Sequence, residues 1–274
     1  MRTVRLRAAV LAGFCLLLLT AASASAATIL VYHRFGDRSS MSISVAAFSA
    51  QLDYLEQTGH KVISMEELAK YVDEGRNPPD KSVVIAIDDG WATVMRAFPE
   101  LKRRNLPFTL FLPMAYVANP YCAATLSQAD IDALKAYPKV TFANHSFSHS
   151  PRLARDEAFA REDIRKSVER FRQVVGHDTP YFAYPYGARS DAYTRMLGET
   201  GFKYLFHTGD EPVSAKTKAG AIPRIAAHNL SVTVLASVLR GQEALMAKAQ
   251  PAKEAAGTLL SATPPAGTIP HNVE

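Results

Sequence analysis

Cysteine is nearly absent from this chain: Cys15 and Cys122 are its only two among 274 residues. Cys15 falls in an N-terminal apolar stretch that reads as a leader removed on export, so Cys122 would stand alone. An intramolecular disulfide is then excluded, and the fold must rest on a hydrophobic core. Charge of one sign is also scarce. Lys and Arg number 31 against 26 Asp and Glu, and Arg2, Arg5 and Arg7 of the leader account for three of the net +5. So small a balance gives a nucleic-acid partner no support. Long hydrophobic runs are lacking too. The stretch from Ala8 to Leu19 is about a dozen residues, well short of the roughly 20 that a membrane-spanning helix needs.

What that stretch does have is a basic start and a small-residue end, Ala24-Ser25-Ala26. This is the pattern of a secretory signal peptide over residues 1–26 with an A-x-A cleavage site. The expected mature chain starts near Ala27, has no membrane span, and is periplasmic or extracellular. The residues before Cys15, Ala12-Gly13-Phe14, do not suit lipid attachment. The roughly 250 remaining residues suffice for one α/β barrel domain, so length does not argue for two.

Compact β-branched and aromatic runs predict strands over 28–32, 83–87, 108–112, 140–143, 181–184, 204–206 and 222–225. Between them, 3.6-residue periodicity with Ser or Asp starts and Gly stops predicts helices over about 45–59, 64–75, 93–104, 127–136, 156–175, 190–199 and 232–239. Ser64 to Glu67 fits a capping box, and Pro99 is expected to kink the third helix. Strands alternating with helices imply parallel pairing with helices outside. The expected fold class is α/β, a distorted (β/α)7-type barrel forming a single domain over 27–245. Residues 246–274, rich in Ala, Pro and Thr, read as a disordered tail.

In such barrels the chemistry collects where strands end. Here the polar exceptions fall at those ends: His33 after the first strand, Asp88-Asp89-Gly90 after the next, Asn144-His145 after the fourth, and Tyr184-Pro185-Tyr186-Gly187 after the fifth. Asp-Gly is also a plain turn signal. His145 and His149, four apart, could face one way over a helical turn, though without the Glu of the better-known zinc motif. Two imidazoles and one carboxylate make a mononuclear site with an open position, the pattern of a catalytic zinc. Of two adjacent carboxylates, one can ligate while the other takes a proton.

Asp-Asp-Gly after an apolar strand, then Asn144-His145-Ser146-Phe147-Ser148-His149, then Phe182-Ala183-Tyr184-Pro185-Tyr186-Gly187 resemble, in order, the first three motifs of the polysaccharide deacetylases with the NodB homology domain, carbohydrate esterase family four. Leu30-Val31-Tyr32-His33-Arg34-Phe35 and the stretch 48–68 resemble its circularly permuted members, which include poly-β-1,6-N-acetylglucosamine deacetylases. The resemblance spans about 28–239. It implies Asp88 as general base, His33 as general acid, and Asp89, His145 and His149 as ligands of a divalent metal. Zn2+ is foremost, and Co2+ and Ni2+ accept the same donors. It further implies a substrate wall of Tyr184, Pro185, Tyr186 and Gly187, with the Tyr186 amide facing an oxyanion. The substrate implied is an N-acetylglucosamine-containing polysaccharide, acted on by a monomer.

Ala183 stands where many non-permuted members carry an Arg that orients the base. Arg224, grouped here with the substrate-binding residues, could supply that charge from another direction, or be a solvated surface Arg. His207 and His228 are alternatives to His33 as acid, or hydrogen-bonded structural residues. His60, His177 and His271 read as loop, helix-exit and tail residues. Trp91 and Phe35 suit sugar stacking or packing, and Arg161, Glu162, Asp163, Arg165 and Lys166 read as a solvated helix face. Competing functions are a carbohydrate-binding homologue without turnover and a deacetylase of peptidoglycan, chitin oligomers or O-acetyl esters.

Overall fold

The structure, a computed structural model, describes residues 25–249. In chain order its strands are β1 (Ala27–Tyr32), β2 (Arg34–Phe35), β3 (Ser42–Ile43), β4 (Lys61–Val62), β5 (Ser82–Asp88), β6 (Phe108–Leu112), β7 (Val140–Asn144), β8 (Tyr181–Ala183), β9 (Tyr204–Thr208) and β10 (Ile222–Ala226). Its helices are α1 (Val45–Gln57), α2 (Met65–Asp73), α3 (Val94–Arg103), α4 (Gln128–Lys135), α5 (Glu157–Val175), α6 (Asp191–Glu199) and α7 (Val232–Ala249). Seven parallel strands pair in the order β1-β10-β9-β8-β7-β6-β5, and β1 pairs with β5 to close the ring. The expected seven-stranded barrel is therefore present. Among the described residues, no helix is long and apolar enough to cross a membrane.

The short strands β2, β3 and β4 escaped the sequence reading, because two residues carry no detectable period. β4 joins the first residues of β5, Lys61 with Ser82 and Val62 with Val83. Other boundaries move slightly. α7 runs to Ala249 rather than ending at 239, so residues 246–249, assigned above to a disordered tail, are helical. The rest of that tail, with His271, and the leader up to residue 24 lie outside the described residues. α3 continues through Pro99 as one helix.

Side-chain alternation sorts the strand residues into two sets. Ile29, Val31, Val84, Ala86, Phe111, Ala143, Ala183, Phe206 and Ile222 share one buried cluster inside the ring. α2 adds Met65, Leu68, Ala69 and Val72 to it and so closes the end where the strands begin. Leu30, Tyr32, Val83, Ile85, Ile87, Leu110 and Phe142 face outward and pack under α1, α3, α4, α5 and α7. A third cluster joins α5 and α6 to β8 and β9 through Phe182, Tyr193, Leu197 and Leu205.

Helix ends follow local chemistry. Ser44, Ser64, Ser127, Asp156 and Ser190 each accept an amide of the first turn, and α5 stops at Gly176 with φ +97°. Ser127 and Asp130 form a full capping box.

The interior is filled by large side chains rather than left as a pore. Phe206 is fully buried and meets Phe111 edge to face, ring centroids 5.3 Å apart. Phe206→Ala should cost about 3–5 kcal/mol, the range for emptying a buried aromatic site. In urea the midpoint should drop with an unchanged slope; a loss under about 1 kcal/mol would mean that the interior is not packed as described.

Candidate metal centre and catalytic cleft

The inward alternation that fills the barrel also delivers the polar groups. Ile29-Val31-His33, Val84-Ala86-Asp88, Ala143-His145 and Ile222-Arg224 are successive inward positions. The apolar series thus ends in a titratable residue on four strands, at the end where the strands finish. Asp89, the next residue after Asp88, would point away on a regular strand. Its backbone is left-handed instead, φ +69°, which turns the side chain back over the barrel mouth. Gly90 follows with φ +59°, and a Cβ there would lie 2.5 Å from Val117 Cγ2.

Three donor atoms converge. Asp89 Oδ1 lies 3.1 Å from His149 Nε2 and 3.6 Å from His145 Nε2, and the two imidazole nitrogens are 3.2 Å apart. His145 Nδ1 donates to the Ala183 carbonyl at 2.8 Å, which fixes the tautomer and leaves the Nε2 lone pair facing inward. Asp89 Oδ1 is buried yet has no satisfactory hydrogen-bond donor, while Trp91 Nε1 donates to Oδ2 at 3.2 Å. An orphaned carboxylate oxygen facing inward-directed imidazole nitrogens is the donor set a divalent cation fits, and these three residues could hold one.

His145 and His149 do not lie on a helix, contrary to the expectation of a helical turn. The segment between them is an irregular loop with φ +70° at Ser146 and +51° at His149, and the two positive φ values bring the rings together.

Asp88 has a different environment. Its two oxygens receive Arg224 Nη1 and Nη2 at 2.8 and 2.9 Å, a bidentate pair with both residues at most 4% exposed. Arg224 is thus not a surface residue, although it lines the cleft described below. It fills, from β10, the charge position left by Ala183. Burial alone would raise the Asp88 carboxyl; Arg224, His145 and His33 outweigh it and hold the group below the usual carboxylate range. Burial opposes ionisation of Asp89 as well, and the two imidazoles reverse it. Burial is the largest influence on His145 too, pushing its pKa down to about 4 despite Asp88.

A cleft of about 280 Å³ opens above these groups, lined also by His33, His228, Met41, Tyr186, Gly187 and Thr208. The His33 and His228 rings meet edge to face, centroids 5.0 Å apart, and neither Nδ1 has a partner. Burial, then the neighbouring His33, lowers the His228 pKa. His207 does not line the cleft; its Nδ1 donates to the Thr208 carbonyl. A larger groove, about 710 Å³ between α5 and α6, holds none of the expected site residues.

Of the expected substrate wall, Tyr184, Tyr186 and Gly187 line the cleft. Tyr186 is exposed, with φ +57° and its ring 4.7 Å from that of His149, and Gly187 touches Thr208 so closely that a Cβ would sit 3.0 Å from Oγ1. Tyr184 also lines the cleft, its hydroxyl paired with Thr194 of α6, and Pro185 is buried. Phe35 packs with Tyr32 and Phe48 in the core. Trp91 holds Asp89, with the Arg34 guanidinium 4.0 Å above its ring. His60 is held by Thr58 and lies near Glu243, and His177 is hydrogen-bonded to the Asp178 carbonyl.

Asp163 corrects the reading of a solvated helix face. It is 4% exposed, and its carboxylate accepts the Phe147 and Ser148 amides at 2.8 and 2.9 Å. The signal was present in the stripe Ala160, Asp163, Ile164, Ser167 and Phe171, whose spacing puts Asp163 on the buried side.

A parallel α/β barrel whose rim carries two imidazoles, a carboxylate within reach of both and a second, arginine-paired carboxylate is an arrangement that could hold a cation beside a proton acceptor. Residues 75–205 match the family model described as polysaccharide deacetylase. A poly-β-1,6-N-acetyl-D-glucosamine N-deacetylase of Staphylococcus epidermidis is 27% identical over 199 residues, 69% of this chain and 68% of that protein. One of the same name from Staphylococcus aureus is 25% identical over 195 residues, 67% of each. Among solved structures, IcaB from Ammonifex degensii superposes with a TM-score of 0.69 at 26% identity, covering 78% of this chain and 97% of that one. The Streptococcus pyogenes deacetylase PplD in complex with acetate shares the fold, with a TM-score of 0.70 at 20% identity over 78% of this chain and 98% of that one. Residues 75–205, just under half of the chain, are thus similar to the polysaccharide deacetylase family.

Because His145 is neutral in the fold down to about pH 4 but titrates near 6.5 when unfolded, the unfolded state binds more protons between these values. Stability of the metal-free protein should fall as pH drops from 6.5 to 4, by on the order of 3 kcal/mol from this group at most. Below that window the depressed Asp88 and Asp89 add further loss. Thermal melts of chelator-treated protein check this, and His145→Gln should flatten the slope between pH 6.5 and 4. A wild-type melting temperature that is constant across this window would contradict the assignment.

Proposed function

We propose that this protein is an exported, metal-dependent deacetylase that removes N-acetyl groups from an N-acetylglucosamine-containing polysaccharide, with β-1,6-linked chains as the first substrate to test. The carrying observation is the pairing of a three-donor cluster, Asp89, His145 and His149, with a separate carboxylate, Asp88, clamped by Arg224. The names of the staphylococcal relatives support the substrate class, and the leader pattern supports export to the periplasm or outside the cell.

The three donors would hold a divalent cation, Zn2+ foremost, which when bound would supply Lewis acidity toward water and the acetamide carbonyl. Asp88, ionised under the influence of Arg224, takes a proton from the water that adds to that carbonyl. The amide of Tyr186, a residue of the cleft wall, would donate to the oxygen that gains charge. His33 gives a proton to the amine nitrogen as the C–N bond breaks, leaving acetate and a free amine. His228, packed on His33, orients that ring.

Incubating the metal-loaded protein with β-1,6- and β-1,4-linked N-acetylglucosamine oligomers and weighing the products tests the reading. Acetate should be released, and His145→Ala and Asp88→Asn should each reduce the rate by at least about 100-fold, the scale of a lost acid–base group. Retention of wild-type activity by His145→Ala would sink the proposal, as would no acetate from any substrate.

Arg224→Gln should raise the Asp88 pKa, so the acid limb of the kcat/KM profile should move to higher pH. It should also cost about 3–5 kcal/mol of stability, as breaking a buried ion pair does. A profile with its acid limb unmoved would remove Asp88 from the role of base.

A further inference from the structure

In the loop that carries both histidines the carbonyls of Ser146 and Phe147 accept the Met114 and Ala115 amides, but the loop's own amides after His145 find no backbone acceptor. Four consecutive amides are each taken by a side-chain oxygen: Ser146 N by Asn144 Oδ1, Phe147 N by Asp163 Oδ1, Ser148 N by Asp163 Oδ2, and His149 N by Ser146 Oγ. Two of these residues, Ser146 and His149, sit at positive φ, a conformation that persists only where surroundings impose it. A helical turn would align residues 145 and 149 through its own bonds. Here that alignment is imposed from outside, by the segment at Met114 and Ala115 on the carbonyl side and by α5 on the amide side. Asp163 grips the middle of the loop, and Ser167, one turn further along the same buried face, donates to Asn144 Oδ1 at 2.7 Å and fixes the acceptor that holds the Ser146 amide.

The chemistry of residue 163 is specific. Two neighbouring N–H groups point at it, and only a carboxylate offers an acceptor to each. An amide of the same shape would set its own N–H2 against one of them, donor to donor. Keeping an acidic group 96% buried is unfavourable unless its bonds matter, and these bonds lead to the histidines rather than to the core.

We infer that Asp163, assisted by Ser167, is a positioning residue for the metal site, setting cation affinity by holding the loop between His145 and His149 in its ligating shape. This rests on the reading of Asp89, His145 and His149 as ligands. Neither α5 residue touches substrate.

The test is Zn2+ titration of chelator-treated wild type, Asp163→Asn and Ser167→Ala against a chromophoric chelator. Trp91, the chain's only tryptophan and bonded to Asp89, provides a second signal by fluorescence. Asp163→Asn should weaken Zn2+ binding by about 10–100-fold, the usual effect of losing a group that orients metal ligands. Ser167→Ala should weaken it less, and excess Zn2+ should restore most of kcat in both. A merely structural role would lower the melting temperature and leave the Zn2+ affinity of the folded protein unchanged. Folded Asp163→Asn with wild-type affinity overturns the inference; if that variant does not fold, unchanged affinity in Ser167→Ala does so. Failure of the wild type itself to bind Zn2+ would instead strike the ligand assignment.

Discussion

Everything at the barrel mouth depends on β1 lying between β5 and β10. Six residues of β1 align with β5, and Leu30 and Val31 align with Ile225 and Ala226. That double pairing closes the ring and brings together groups far apart in sequence: His33, Asp88 and Arg224. The ion pair at the centre spans 136 residues and exists only because the ring is shut. Parallel strands make such closure possible, since every strand then ends on the same face and each inward series finishes there.

The strands do two things with one alternation. Their inward residues form a dry interior of Phe111, Phe206, Ala86 and Ala143, and the last inward residue of four strands is polar. The low-polarity floor strengthens the field of each charge above it. Asp88 is therefore tuned mainly by a contest between burial and Arg224, and the guanidinium itself lies over the Phe111 ring at 4.7 Å. Histidine and carboxylate in the donor cluster are tuned oppositely, one kept neutral and the other ionised, which is the state in which both offer lone pairs.

The long strands, the long helices and the four strand-end residues were legible because each leaves a period or a break in one. Asp89, His145 and His149 were legible as a set, but the geometry joining them was not, since the positive φ values at Ser146 and His149 have no glycine to announce them. Arg224 was visible as a candidate but not placeable, because its partner lies on a strand it does not neighbour in sequence. Asp163 was misread because four charged neighbours masked its place in the buried stripe. At Tyr184 the motif places the residue at the cleft but does not show that its hydroxyl is taken by Thr194 of α6.

The family match at residues 75–205 has a physical consequence. It contains β5 through β8 and the first two residues of β9 but neither β1 nor β10, the two strands that join those ends. A fragment trimmed to the match would be an open, curved sheet with unpaired amides and carbonyls along both β5 and β9. Such bare flanks seek another strand, so the trimmed piece would tend to associate with copies of itself rather than stand alone.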